Sequence, residues 1–314
     1  VQLFVQNARR VQPAFSVTDE QAAINRICAL VQGMPLALEL ASAWTRVLSC
    51  AEIATEIERG LDILQTSARN VPERHRSMRA VLDQSWERLT AGEQAVLRKL
   101  ALFRGGFTRE SAAMIAGASL QALSALVDKS WLYRSAATGR YDLHELVRQF
   151  AAERLADSGE TEMLSRTYAT FYAELVARCE AGIKRGGQSA ALAELERDFE
   201  NIRAAWAWAV AQRAVSVLHP MLEAINFFCD MRARFHEGEA LFRAAADQFA
   251  ALDLSLFYRA RARRTRMIML GLLDDSYLSA PVVQEMEEAV RFFRDHNDPR
   301  ELSFALYILG MVQS

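Results

Sequence analysis

A mainly α-helical protein with a single β-hairpin set between two helical stretches is what this sequence predicts, and three observations carry the reading. Only six prolines and fourteen glycines occur among 314 residues, while the helix formers Ala, Leu, Arg and Glu abound. Apolar residues recur at three- and four-residue spacing through nearly the whole chain. Only Trp131-Leu132-Tyr133 and Tyr141-Asp142-Leu143, flanking a loop with Thr138-Gly139, have the look of paired strands.

The helical front begins at Thr18-Asp19-Glu20-Gln21, which has capping-box spacing. Ala23, Ile24, Ile27, Cys28 and Val31 follow on one face of a helix. Gly33 then turns the backbone and Pro35 opens the next helix, the asymmetry expected of a tight corner. That helix carries Leu36, Leu40, Ala43, Trp44 and Val47. Ser49-Cys50-Ala51-Glu52 is a second capping box, and Gly60 stops its helix.

A polar linker, Ser67 to Arg76 with Pro72, leads to a helix bearing Met78, Val81, Leu82 and Trp86. Thr90, Thr108 and Ser119 each cap a further helix, the last running from Leu120 to Lys129. Helices closed by one hairpin make a winged-helix pattern, and Leu143, Leu146, Val147, Phe150 and Leu155 mark the helix after the wing. From about residue 160 the chain is helical throughout, with helices near 192–209, 217–232, 236–250, 253–272, 281–296 and 300–314. Leu270-Gly271 and Leu309-Gly310 recur 39 residues apart, and Ala-x-x-x-Phe occurs at Ala245/Phe249 and Ala289/Phe293. These are tetratricopeptide-like marks, so the rear is predicted to be an α-solenoid whose repeats bury their faces on one another.

Composition excludes several classes. Apolar content of 51% and charged content of 24% are those of an ordinary globular protein. A net charge of -2 argues against a polyanion or membrane-surface binder. Cys28, Cys50, Cys179 and Cys229 lie far apart without metal-ligand spacing, which predicts reduced cytoplasmic thiols and no metal site. No apolar run reaches the ~20 residues of a membrane span. No Ser/His/Asp set or carboxylate pair presents a catalytic centre. The start of the chain inside a helix with Leu3, Phe4 and Ala8 is expected of a piece of a longer protein.

The ordered set of motifs resembles one family. Gly33-Met34-Pro35-Leu36-Ala37-Leu38 is similar to the Gly-x-Pro-Leu-Ala-Leu motif in the helical lid of signal-transduction ATPases with numerous domains, the NB-ARC-like STAND class. Phe103-Arg104-Gly105-Gly106-Phe107-Thr108 and Leu126-Val127-Asp128-Lys129-Ser130 resemble winged-helix segments of bacterial members. Leu143-His144-Glu145-Leu146-Val147-Arg148 lines up with the family's Met-His-Asp element, with Glu145 in place of the Asp. Asn201-Ile202-Arg203-Ala204-Ala205-Trp206 resembles the entry to the repeat arm. The resemblance implies residues 1–17 as the tail of a nucleotide-binding core, 18–66 as a helical lid, 67–158 as the winged helix and 159–314 as the repeats. It implies an ADP/ATP-switched signal-transduction and transcriptional regulator of the bacterial cytoplasm. An inducer or regulatory protein would bind the arm, and the full-length protein would self-associate. No G-x-x-x-x-G-K-[ST] phosphate loop occurs in this chain, so no ATPase centre is expected within it.

The candidate cofactor-binding residues are Gly33, Pro35, Leu36 and His144. The spacing Asp142-Leu143-His144-Glu145 places His144 in the first turn of its helix, where unpaired amides favour an anion and the imidazole can donate to a terminal phosphate. The plain alternative is an exposed histidine behind a good cap. Pro35 and Leu36 offer apolar contact to an adenine, or form a purely structural corner. The helix before the wing offers Gln121, Ser124, Asp128 and Lys129 but no Arg, so no direct nucleic-acid binding is expected. Arg259, Arg261, Arg263, Arg264 and Arg266 form a solvated or salt-bridged face, or a dock for an acidic ligand. Phe227, Phe228, Tyr258, Phe292 and Phe293 are packing aromatics or a ligand box. Two rival readings stay open: a tetratricopeptide-type interaction scaffold without nucleotide, and a winged-helix DNA-binding protein.

Overall fold

The computed structural model describes residues 1–13, 15–18, 20–65, 77–273 and 275–313, the side chains of 276 and 277 excepted. The linker with Pro72 lies outside the described residues. The chain divides into two compact units, Val1–Leu164 and Ser165–Ser314. It is mainly α-helical with one two-stranded hairpin among the described residues, as the sequence predicts.

In the first unit, α1 (Gln2–Val11) packs on α3 (Pro35–Ser42), and α2 (Gln21–Leu30) on α4 (Cys50–Arg59). Phe4, Ile24, Ile27, Leu38 and Ile53 fill the space between them. The Ser49 capping box forms, with Glu52 accepting from the Ser49 amide at 2.8 Å. The Thr18 box does not: α2 begins at Gln21 and no side chain caps it. Glu20 instead accepts from the Cys50 amide, 3.2 Å away at the start of α4. A carboxylate gains as much from a neighbouring helix's positive end as from its own, and packing brings that end close.

Next come α5 (Met78–Trp86), α6 (Ala91–Leu100), α7 (Arg109–Ala116), α8 (Leu120–Asp128), β1 (Tyr133–Arg134), β2 (Tyr141–Asp142) and α9 (Glu145–Asp157). Thr90, Thr108 and Ser119 cap their helices as expected. In the antiparallel hairpin Tyr133 pairs with Asp142 and Arg134 with Tyr141. Phe107 adds one more rung, exchanging backbone hydrogen bonds of 2.8 and 2.9 Å with Tyr141. Trp86, Trp131 and Phe150 form an aromatic core with centroids 5.7 to 6.2 Å apart. α9 is the hub of this unit. It packs on α6, Gln149 donates to the Ile57 carbonyl in α4 at 3.3 Å, and Glu153 pairs with Arg79, which also reaches Asp62.

α10 (Thr161–Lys184) runs across the division between units. The second unit continues with α11 (Gln188–Ala211), α12 (Val215–Leu218), α13 (Leu222–Met231), α14 (Phe235–Phe249), α15 (Leu254–Gly271), α16 (Ala280–Asp295) and α17 (Pro299–Val312). The helix expected over 217–232 is interrupted by a 3-10 turn at His219–Met221. Pro220 has no N–H to continue the ladder, so the α-helical bonding is interrupted there. Ala245, Phe249, Ala289 and Phe293 are all buried, so the repeat marks are core positions. Phe228, Tyr258, Phe292 and Phe293 are packing groups: Phe228 lies 4.9 Å from Phe199, and Tyr258 packs against both Phe292 and Phe293.

The arginine run is salt-bridged. Arg259 and Arg263 bind Glu301 of α17, and Arg263 also binds Glu223 of α13. Arg266 binds Asp230 of α13, Arg261 binds Glu285 of α16 and Arg264 binds Glu239 of α14. The chain's own carboxylates thus occupy all five cations, so the run is no dock for an acidic ligand.

Candidate functional site

The corner between α2 and α3 has two consecutive residues in the left-handed region, Gln32 at φ 47° and Gly33 at φ 74°. Gly33 tolerates this without cost, and Gln32 is held there by tertiary contact. The amides of Gln32, Gly33 and Met34 turn back onto the end of α2, bonding the carbonyls of Ala29, Cys28 and Val31. Pro35 is the first residue of α3, and no side chain caps that helix. Ala37 and Leu38 anchor it in the core, leaving Gly33 and Pro35 exposed and Leu36 half-buried. A Cβ at Gly33 would meet nothing within 4 Å, so the corner faces open space.

The structure brings His144 to this corner. Its Nδ1 hydrogen-bonds the side-chain amide of Gln32, across 112 residues of sequence. The ring rests against Tyr133 at 5.0 Å, and among the described residues Nε2 has no partner. Burial lowers the His144 pKa, with the Asp142 charge opposing more weakly, so the ring is neutral at neutral pH.

His144 lies one residue earlier than its spacing predicts. It is the N-cap of α9 rather than part of the first turn, and its side chain makes no cap bond. Asp142 does not cap α9, because a buried cation takes its carboxylate. Asp142 Oδ1 accepts from the Leu143 amide at 2.8 Å and from Arg148 Nη2 at 2.9 Å. Arg148 is 6% exposed and also binds Glu145 and the carbonyls of Phe103 and Leu143. Burial works against its charge, yet the two carboxylates outweigh burial and keep the guanidinium protonated. The Gln32–His144 bond thus joins the corner that precedes α3 to the residue that opens α9, and no side chain caps either helix.

Sequence reasoning missed Gln32, Tyr133 and Arg148. Arg148 left one signal, a charge on the otherwise apolar stripe of α9, three residues after Glu145 and six after Asp142. Gln32 left none beyond its place before the glycine. The remaining predicted site residues, Gly33, Pro35 and Leu36, all lie on the corner that His144 reaches.

Comparison with known proteins places the central part of the chain. Residues 89–156 match the family described as "Winged helix-turn-helix domain". "Putative HTH-type transcriptional regulator Rv0890c" of Mycobacterium tuberculosis and "Putative HTH-type transcriptional regulator Mb0914c" of Mycobacterium bovis are each 32% identical over 323 residues. The match covers 99% of this chain and 36% of each relative, so the chain spans little more than a third of their length. "Uncharacterized protein Rv0894" of Mycobacterium tuberculosis is 32% identical over 179 residues, 54% of this chain and 46% of that protein. Among solved structures, a Signal Transduction ATPase with Numerous Domains protein with a tetratricopeptide repeat sensor, from Pyrococcus horikoshii, aligns with a TM-score of 0.29 at 14% identity. That alignment covers 99% of this chain and 50% of the other. The capped helices α6 to α8, the hairpin, α9 and the family match agree that the chain contains a winged helix-turn-helix domain.

Proposed function

We propose that this chain is the regulatory portion of a nucleotide-switched transcriptional regulator, in which α2–α4 and the winged helix together form one side of an ADP/ATP site. The hydrogen bond between Gln32 and His144 carries the reading. It links the corner to the residue that opens α9, so a ligand that fits this junction favours one position of the winged helix over others. Exposed Pro35 and half-buried Leu36 suit the flat apolar face of a base. The uncapped starts of α3 and α9 suit an anion.

A neutral His144 donates to a phosphate only through Nε2–H, which leaves Nδ1 as acceptor. The Gln32 amide then turns its NH2 group toward Nδ1, which a rotation about its last bond achieves. Gly33, Pro35, Leu36 and His144 would hold the nucleotide from this side, and its phosphate-binding half belongs to a phosphate loop that this chain does not carry. This portion binds and reports nucleotide and does not hydrolyse it. An inducer or regulatory protein acts on the helical repeats, self-association follows release, and the setting is the cytoplasm.

The test is the nucleotide content of the purified full-length protein and of its His144→Ala variant. ADP is expected to co-purify near one per chain, and retention to fall at least tenfold in the variant, with raised basal activity. Equal nucleotide in both proteins sinks the assignment of His144. Absence of nucleotide from both sinks the switch and leaves the interaction scaffold.

The winged helix itself favours a second reading, direct DNA binding, and the surface of α8 speaks against it. Leu120, Gln121 and Ser124 are exposed there, and Met114 of α7 is 67% exposed. Lys129, just past the end of α8, is held by both oxygens of Glu93 at 2.7 Å. α8 therefore offers none of the free cations with which proteins position phosphates and read guanines.

A further inference from the structure

We propose that the cleft between α11 and α14 binds a small carboxylic acid with an apolar body, and that this is the ligand class sensed by the repeats. The sensing role rests on the switch reading.

The two helices run parallel along the cleft. Arg234 at the start of α14 pairs with Glu196 and lies over the Phe199 ring at 4.7 Å. Further along both helices, Trp206 Nε1 donates to the Leu241 carbonyl at 3.1 Å and the indole meets Phe242 edge-on at 5.7 Å. The cleft beside this seam has a volume of about 470 Å³, within the ~300–1,000 Å³ of small-molecule sites. Its walls are alanines one turn apart, Ala207 and Ala211 on α11 and Ala240 and Ala244 on α14, with Trp206 and Leu241 between. All four alanines are exposed. Side chains this small leave a trough that no described residue of the unit fills, and its apolar lining gains from contact with an apolar ligand.

One end of the trough is different. Arg203 lies one turn before Ala207 on α11, and His236 and Glu237 lie in the first turn of α14, one turn before Ala240 and Leu241. No side chain caps α14, so its first-turn amides add a partial positive charge at this end. The Glu237 carboxylate is drawn to Arg234 at 2.8 Å. Among the described residues Arg203 pairs only with Glu200 of its own helix, at 3.1 Å, and both side chains are about half exposed. Such an exposed pair is weak, and a ligand carboxylate offering two oxygens to the guanidinium displaces it readily. From Arg203 to Ala211 is eight residues of helix, about 12 Å, the span of a ten-carbon chain. Charge complementarity therefore sets the carboxylate at Arg203 and the tail along the alanines.

The test is calorimetric titration of the 314-residue chain with decanoate, with decanol as the neutral control. One site per chain is expected, with decanoate at least tenfold tighter than decanol. Ala240→Phe fills the trough from an exposed position and should abolish binding with an unchanged circular dichroism spectrum. Arg203→Gln should remove the preference for decanoate and leave decanol binding as it was. Decanoate binding undiminished in Ala240→Phe overturns the proposal, as does equal affinity for acid and alcohol in the unaltered chain. Absence of decanoate binding up to its solubility limit does the same. Self-association in sedimentation that Ala240→Phe abolishes would give the cleft to a second copy, and an amphipathic peptide that binds where decanoate does not would give it to a partner helix. Nucleotide content is read independently: decanoate binding without bound nucleotide defeats the switch alone, and the reverse result defeats this site alone.

Discussion

At the scale of single residues, protonation state decides what the corner can do. Burial lowers the His144 pKa, so a carbon-detected NMR titration of the imidazole should place its midpoint below the ordinary value of 6.5. The sign follows from linkage: the unfolded chain takes up the proton first, so this contribution is present above about pH 6.5 and is lost as pH falls below it. The midpoint should rise in Gln32→Ala, which opens the ring to water. A midpoint at or above 6.5 in the unaltered protein would contradict the neutral donor assigned to His144. The cysteines allow a second check. Burial pushes the thiols of Cys50, Cys179 and Cys229 up to about 12. A thiol reagent at about pH 8 should therefore label only the half-buried Cys28 in the native protein, and all four after denaturation.

Helix packing gives two glycines of similar sequence context opposite roles. Gly271 and Gly310 both follow leucine in the repeat marks. A Cβ at Gly271 would stand 2.6 Å from Phe235 Cβ, an atom fixed by its own backbone, whereas one at Gly310 would meet nothing within 4 Å. Gly271→Ala should destabilise the second unit by about 1–3 kcal/mol through overpacking. Gly310→Ala should be neutral or stabilising by up to ~1 kcal/mol, the helix-propensity difference. Chemical denaturation followed by circular dichroism checks both, and equal effects would refute the close approach of α14 and α15. The ion network offers a separate measurement. Glu301→Gln leaves Arg259 and Arg263 short of a buried partner and should cost about 3–5 kcal/mol. Although burial raises the Glu301 and Glu223 pKa values, Arg263 together with Arg259 at Glu301 and with Arg300 at Glu223 outweighs it and lowers both. Their contribution is therefore present above the ordinary carboxylate range near 4.5 and lost as pH falls through and below it.

For the molecule as a whole, the winged helix provides the sharpest expectation. Fluorescence anisotropy with a mixed-sequence duplex should show no binding by this chain at physiological ionic strength. Salt-dependent binding, with affinity falling steeply between roughly 50 and 200 mM salt (about 10³-fold or more for many phosphate contacts), would overturn the reading of α8. Among the described residues, no single helix is long and apolar enough to cross a membrane.

Much of the architecture is legible in local pattern. The Ser49, Thr90 and Thr108 boxes, the Gly33-Pro35 corner and the Tyr133–Tyr141 hairpin depend on residues a few positions apart, so the chain announces them. The Thr18 box, the helix across Pro220 and the cap by Asp142 fail where a distant group or an absent amide wins: α4 takes Glu20, proline breaks the ladder and Arg148 takes Asp142. The sequence by itself determined most of the helices, the caps at Ser49, Thr90, Thr108 and Ser119, and Gly33, Pro35, Leu36 and His144 as candidate site residues. Only the tertiary structure decided that Gln32 joins the corner to His144, that the arginine run is internally paired and that a Cβ has no room at Gly271 but has room at Gly310. Those outcomes depend on which surfaces meet across tens of residues, and short-range periodicity carries no record of that.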